Sequence, residues 1–184
     1  MIDRATAKAL ICARHYTHSF PSGKSEVFEF DDVVVVFSIP ANRHISRFLL
    51  GKPNVVWELS RLWAEDGHPP NALTQAISRG TGAFRKLYPD VEALVSYADP
   101  NVGHTGGVYR AASWTFLGSC EETRAYRGPG GEIVSRRAFH SGKHALRKDE
   151  ILAKGFVQLK LPGKLRFARG LTHSARKTLA RKAV

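Results

Sequence analysis

Apolar and polar residues follow two different periods along this chain. Residues 5–16 place Ala9, Leu10, Cys12 and Ala13 on a helical repeat, which predicts a first helix. A polar loop over 15–23 follows. Residues 27–30 and 33–39 read as strands that meet at Asp31-Asp32, residue types suited to a hairpin turn. Residues 41–53 keep neither period and read as an irregular connection. Residues 55–63 are strand-like, yet Glu58 and Arg61 sit where a buried strand should avoid charge. A half-buried charge is costly unless paired, so these two mark either a structural ion pair or a site.

Gly67-His68-Pro69-Pro70 breaks the pattern, and Asn71 reads as the cap of a helix carrying Leu73, Ala76, Ile77, Ala83, Phe84 and Leu87. Gly80 and Gly82 each weaken that helix by about 1 kcal/mol relative to alanine, and they permit close packing on a sheet. Tyr88-Pro89-Asp90 ends it. Residues 93–97 are the next buried strand, closed by Asp99. A glycine-rich loop over 103–107 leads into a short helix at 108–113, then a strand at 114–120. From 121 to 150 the pattern is loose. Residues 155–161 and 165–168 alternate around Pro162-Gly163, which predicts a lysine-rich hairpin. Residues 172–184 read as a basic tail, either partly helical or disordered. The order is α/β, with a mixed central sheet flanked by helices, and the early hairpin excludes a doubly wound sheet. One domain over 1–170, basic from about 136, and a tail at 171–184 are expected.

The 184 residues are long enough for one full core. The longest apolar run, 33–37, is far short of the roughly 20 residues that span a bilayer. No secretory signal pattern opens the chain, and Cys12 and Cys120 show no metal spacing. A cytoplasmic protein with reduced thiols and no membrane partner is expected. Charge changes the picture more. Residues 1–135 hold 14 Lys+Arg and 14 Asp+Glu, whereas 136–184 hold 14 Lys+Arg against Asp149 and Glu150. The net charge of +12 therefore sits in the last quarter of the chain. Such a block suits a polyanion, nucleic acid first, with a solvated tail as the bland alternative.

The element order resembles the GCN5-related acetyltransferase superfamily. In that fold a strand splays from its neighbour and acyl-CoA lies in the gap. The corresponding piece here is Leu62 and Trp63 at the strand end, with Asn71 and Thr74 as cofactor contacts after the loop. The superfamily's glycine-rich phosphate loop is absent there, and Asn71 and Thr74 serve equally well as a cap and a first-turn threonine. Tyr109-Arg110-Ala111 is similar to the superfamily's tyrosine-led helix, whose tyrosine protonates a departing thiolate. A packed helix tyrosine is the other reading.

Glu58-Leu59-Ser60-Arg61-Leu62-Trp63, Ser96-Tyr97-Ala98-Asp99, Gly103-His104-Thr105-Gly106-Gly107-Val108-Tyr109 and Arg14-His15-Tyr16 together resemble the Mom family of phage DNA-modification proteins. The resemblance spans roughly residues 10–118. It implies transfer of a carbamoylmethyl or acyl-type group to the adenine exocyclic amine in duplex DNA, shielding the DNA from restriction in an infected or lysogenic bacterial cell. The superfamily likeness implies acetyl-CoA or a related acyl-CoA, the donor itself staying open because a carbamoylmethyl group is not an ordinary acetyl, and iron is a further association of the Mom family that His, Tyr and Asp side chains suit. Adenine's amine is a poor nucleophile, so a positioned base or acceptor is needed. Asp99 is the first candidate for that task. Arg61 is a fork for phosphate or acyl oxygen, or an ion partner of Glu58 or Asp99. His15, Tyr16 and His104 are candidate substrate contacts. Arg136, Arg137 and Lys143, with His140 and His144 beside them, are candidate DNA phosphate contacts or solvated positions. Trp57, Trp63 and Trp114 read as core. An N-acyltransferase acting on a protein or small-molecule amine is the alternative, and a non-enzymatic nucleic-acid binder is a third.

Overall fold

A computed structural model describes residues 2–139 and 145–184. Nine strands and seven α-helices are seen among them. Helix α1 (Arg4–Arg14) is capped by Asp3, whose carboxylate accepts from the amides of Ala5 and Thr6. Strands β1 (Ser25–Phe30) and β2 (Val33–Ser38) form the expected hairpin. Asp31 and Asp32 both adopt the left-handed backbone, as a two-residue turn between twisted strands demands. Every residue of β2 is buried, because helices cover both of its faces.

Strand β3 (Val56–Trp63), helix α3 (Ala72–Leu87) and strand β4 (Ala93–Ala98) fall where the apolar periods put them. Asn71 does not cap α3 through its side chain. It is left-handed at φ 65° and its side chain makes no capping bond. A short 3₁₀ turn (Pro100–Val102), helix α4 (Gly107–Ala111) and strand β5 (Thr115–Ser119) complete the middle of the chain. At Gly106, φ is 78° and an added Cβ would collide with the Phe167 ring, so only glycine fits this helix entry.

Three features depart from the sequence reading, and in a fourth, the tail, the partly helical alternative is the one seen. Helix α2 (Ile45–Leu50) lies inside the stretch read as irregular. Of its three buried residues, Ile45, Ser46 and Leu49, only two are apolar, too short a signal for the period to show. The loose stretch contains strands β6 (Thr123–Arg127) and β7 (Ile133–Ser135), helix α5 (Arg136–Phe139) and helix α6 (Lys148–Ala153). The expected lysine-rich hairpin does not form. Strand β8 (Val157–Leu161) joins a three-stranded sheet ordered β7-β6-β8, while strand β9 (Leu165–Gly170) leaves for the main sheet. Residues 173–180 of the expected tail form helix α7 (His173–Ala180), with Ala175 and Leu179 buried against Val95 and Ala168.

The main sheet is six-stranded, ordered β1-β2-β3-β4-β9-β5. Helices flank it, so the mixed α/β architecture holds. α3 covers Val33, Val35, Phe37, Trp57 and Leu94 on one face. On the other face α1 covers Val34 and Val36, while α2 and α7 cover Val56, Ala93 and Val95. Among the described strand pairs, β3 and β4 alone run parallel. Their ladder stops at Glu58↔Val95, although both strands continue beyond it.

Candidate active site

The opening between β3 and β4 is the floor of a cleft of about 440 Å³. Glu58, Leu59, Ser60, Arg61 and Leu62 line one wall, and Ser96, Tyr97 and Ala98 the other. The loop after α1, the 103–107 loop and Lys164 close the mouth. Most motifs singled out in the sequence therefore converge here, although they come from four separate segments.

Why the strands part is visible at Ser96. Its hydroxyl lies 2.7 Å from the Leu59 carbonyl and 2.8 Å from the Tyr109 hydroxyl. A side chain thus occupies a carbonyl that a neighbouring strand would otherwise take. The carbonyl can only accept and serine has one proton, so Tyr109 supplies the proton of the second bond. Tyr109 is 8% exposed, and burial pushes its hydroxyl up to about 12. Tyr97, half-buried beside Glu58, is also pushed up to about 12 by burial. Both phenols are protonated at neutral pH.

Glu58 is raised by burial, against the pull of Arg61, Lys164 and the Ala41 backbone. Arg61 turns away from both carboxylates expected as partners. Its Nε and Nη2 donate to the carbonyl and hydroxyl of Ser19 at 2.7 and 3.0 Å, and Nη1 donates to the Ser60 carbonyl. Arg61 thereby fixes the 15–19 loop over the cleft and keeps two of its five donors free.

That loop carries His15 and Tyr16. His15 is 7% exposed, and its Nδ1 accepts from the Thr17 amide at 3.2 Å, which leaves the ring proton on Nε2. Burial, then Arg61, His104, His18 and Lys164, hold it down at about 4. Tyr16 stacks near His15 and meets His104 edge-on at 4.9 Å. Tyr16 is 38% exposed, so an aromatic face is offered at the mouth.

Asp99 sits differently from the role expected of it. It does not line the cleft. One oxygen accepts from the Asn101 amide and side chain, and the other pairs with Lys164 Nζ at 3.2 Å. Burial raises its pKa, but Asn101 and Lys164 outweigh that and hold the carboxyl below its usual value. A carboxylate held low is a weak base. What Asp99 does in this geometry is aim Lys164, which does line the cleft. Gly163 makes this approach possible, since a Cβ there would collide with the Cys120 carbonyl.

Of the expected cofactor contacts, only Leu62 lines the cleft. Trp63 faces the opposite side, packed with Val34 and Val36 under α1. Asn71 and Thr74 lie outside the lining, where Leu73 takes their place. Arg136 is exposed on α5, away from the cleft lining. The Arg137 side chain, Lys143, His140 and His144 lie outside the described residues. Trp57 and Trp114 are core. Lys164, Ser96 and Leu73 were missed as site residues. A small polar residue inside an apolar strand was the available signal for Ser96, and a lysine straight after Pro-Gly for Lys164.

The gap fits an extended acyl chain, with an open β3 edge and apolar Leu62, Leu73 and Val108. Iron fits less well. Among the described residues no three His, Cys, Asp or Glu side chains gather to hold a metal, and both His15 Nδ1 and Asp99 are already engaged.

Sequence comparison meets this geometry. A 124-residue stretch is 33% identical to a protein of Escherichia phage Mu named methylcarbamoylase mom, covering 64% of this chain and 52% of that protein. The chain thus spans about half the length of that relative. The Mom protein family profile matches residues 1–183, and on that match the chain belongs to the Mom protein family.

Proposed function

We propose that this protein modifies adenine in duplex DNA, joining a carbamoylmethyl or acyl-type group to the exocyclic amine. One observation carries the reading: a buried, protonated tyrosine and a carboxylate of raised pKa line the same cleft at a strand opening in a member of this family. A base inside a duplex is out of reach, so the adenine must leave the stack. Tyr16 and His104 at the mouth offer it an aromatic edge and face. Glu58, its affinity for a proton raised by burial, accepts the proton the amine loses as the new N–C bond forms. Tyr109 donates a proton to the leaving group as the old bond to carbon breaks. Lys164, aimed by Asp99, steadies negative charge on the transferred group's oxygen. Bound acyl-CoA would supply an activated thioester carbon in the gap and would account for the acyl-type product, whereas a carbamoylmethyl group, joined through its methylene, needs a donor with its leaving group on that carbon. The same site suits a GCN5-related fold, whose splayed strands take the donor in this way.

Nucleoside mass spectrometry tests the reading on DNA from cells making this protein, beside Tyr109→Phe and Asp99→Ala variants. A new adenosine species is expected in the wild type, at reduced yield in Asp99→Ala and lowest in Tyr109→Phe, and its mass identifies the transferred group. Unmodified adenosine in cells with folded wild-type protein, even after cell extract is added as donor source, would overturn it.

A further inference from the structure

A second cavity, of about 570 Å³, lies at the far end of α3. Its walls are α3, the start of β5, the end of β9, and α7. Leu73 in the first turn of α3 lines the cleft, and Arg85 in its last turn lines this cavity. At 1.5 Å per residue the two positions are roughly 18 Å apart.

Three arginines line the cavity: Arg85, Arg169 and Arg176. None forms an ion pair with a carboxylate among the described residues. Arg169 is half-buried, and one Nη donates to the Ala112 carbonyl at 2.9 Å. Burial, then Arg176 and Arg85, disfavour its charge, and nothing nearby offsets them. Arg176 reaches the Gly170 and Leu171 carbonyls only at 3.3 and 3.5 Å. Ser78, Ser113 and Thr115 add hydroxyls to the wall. Thr81 also lines it. This threonine is 3% exposed and its hydroxyl has no partner. A buried hydroxyl without a partner is rare unless something outside the chain satisfies it.

Three like charges held together around an unsatisfied donor are unfavourable without an anion. Guanidinium forks match the oxygen spacing of phosphate and bind it in pairs. We infer that this cavity is a phosphate-binding site, built by Arg85, Arg169, Arg176 and Thr81 and separate from the cleft. Its ligand is either a phosphodiester of the DNA backbone or a free phosphate compound. Only the first source rests on the DNA-modification reading.

The test follows arginine Nε–H signals by NMR while the full chain is titrated with inorganic phosphate, then with a short duplex at several salt concentrations. Arg85→Gln is the variant, because Arg85 makes no hydrogen bond that the fold needs. A thermal melt without phosphate checks that it folds. Saturable shifts are expected in the wild type, with affinity reduced about tenfold in the variant. If the variant also weakens duplex binding and flattens its salt slope by about one unit, the phosphate is DNA's. If duplex binding is unchanged while phosphate binding falls, the ligand is a free phosphate compound. Shifts that never saturate, or that are equal in the folded variant, overturn the site. Adenine modification by the wild type is measured apart from this, so the two readings fail independently.

Discussion

The two ends of α3 solve opposite electrostatic problems. At its N-terminal end two cations, Arg61 and Lys164, are matched in number by two carboxylates, Glu58 and Asp99; Asp99 holds Lys164, and the 15–19 loop holds Arg61. At its C-terminal end three arginines face one cavity with no carboxylate among the described residues. The first arrangement is complete without a ligand, which suits chemistry that needs groups fixed in advance. The second is complete only when an anion arrives. Preorganisation and deficit are two signatures of function, and a charge count alone does not separate them.

The sharpest way to break the comparison is Tyr109→Phe. The ring still packs on Trp114 and Phe167, and Ser96 keeps its bond to Leu59, so the fold should survive. Adenine modification should fall by about 10²- to 10³-fold, while duplex binding is unchanged. Equal activity in Tyr109→Phe would remove the tyrosine from the chemistry.

Acid should act on the cleft first. His15 has a depressed pKa, so between 6.5 and about 4 the unfolded chain binds a proton that the folded chain refuses. Stability is then full above pH 6.5 and is lost as the pH falls towards 4. Denaturant midpoints across that window should fall in the wild type and stay flatter in His15→Gln. Matching slopes would mean His15 is not the titrating group.

Asp99→Asn keeps the bonds from Asn101 within reach but removes the charge facing Lys164. Activity should drop about tenfold. Adding Lys164→Ala to it should cost little more, since the two act as one unit. Fully additive losses would give Asp99 a role of its own. The smallest effect expected is at the arginine cavity. Arg85→Glu should raise stability by about 0.2–1 kcal/mol by relieving like-charge repulsion, a sign opposite to that of most surface changes. A lower melting temperature would show that the arginines are already neutralised.

Much of this was readable from residues alone, where local chemistry decides the outcome. Asp31-Asp32 announces its turn, the helical repeat from Leu73 to Leu87 announces α3, and charges at Glu58 and Arg61 inside an apolar strand announce the cleft. What was not readable depends on distant partners. The alternation around Pro162-Gly163 is real, but nothing local says that its two halves join different sheets. Asn71 has a capping residue's chemistry and a left-handed backbone that denies it the role. Asp99 closes a strand as expected, but its partner is Lys164, 65 positions later (164 − 99). The arginine cavity was hidden for the same reason, because Arg85 comes from an acid-balanced segment and Arg169 and Arg176 from the basic one.

The place of β9 in the main sheet has a consequence for how the chain is made. β4 and β5 flank β9 but are synthesised well before it. Until residues 165–170 leave the ribosome, both strands expose unpaired edges, and such edges invite pairing with other chains. The wall of the cleft formed by β4 is held on one side only until then. The main sheet is therefore completed only after translation of the rest of its strands is over, with non-local pairing that slows the final step. Transient exposure of these edges during synthesis, rather than fragility once folded, is the cost of inserting the last strand between two earlier ones.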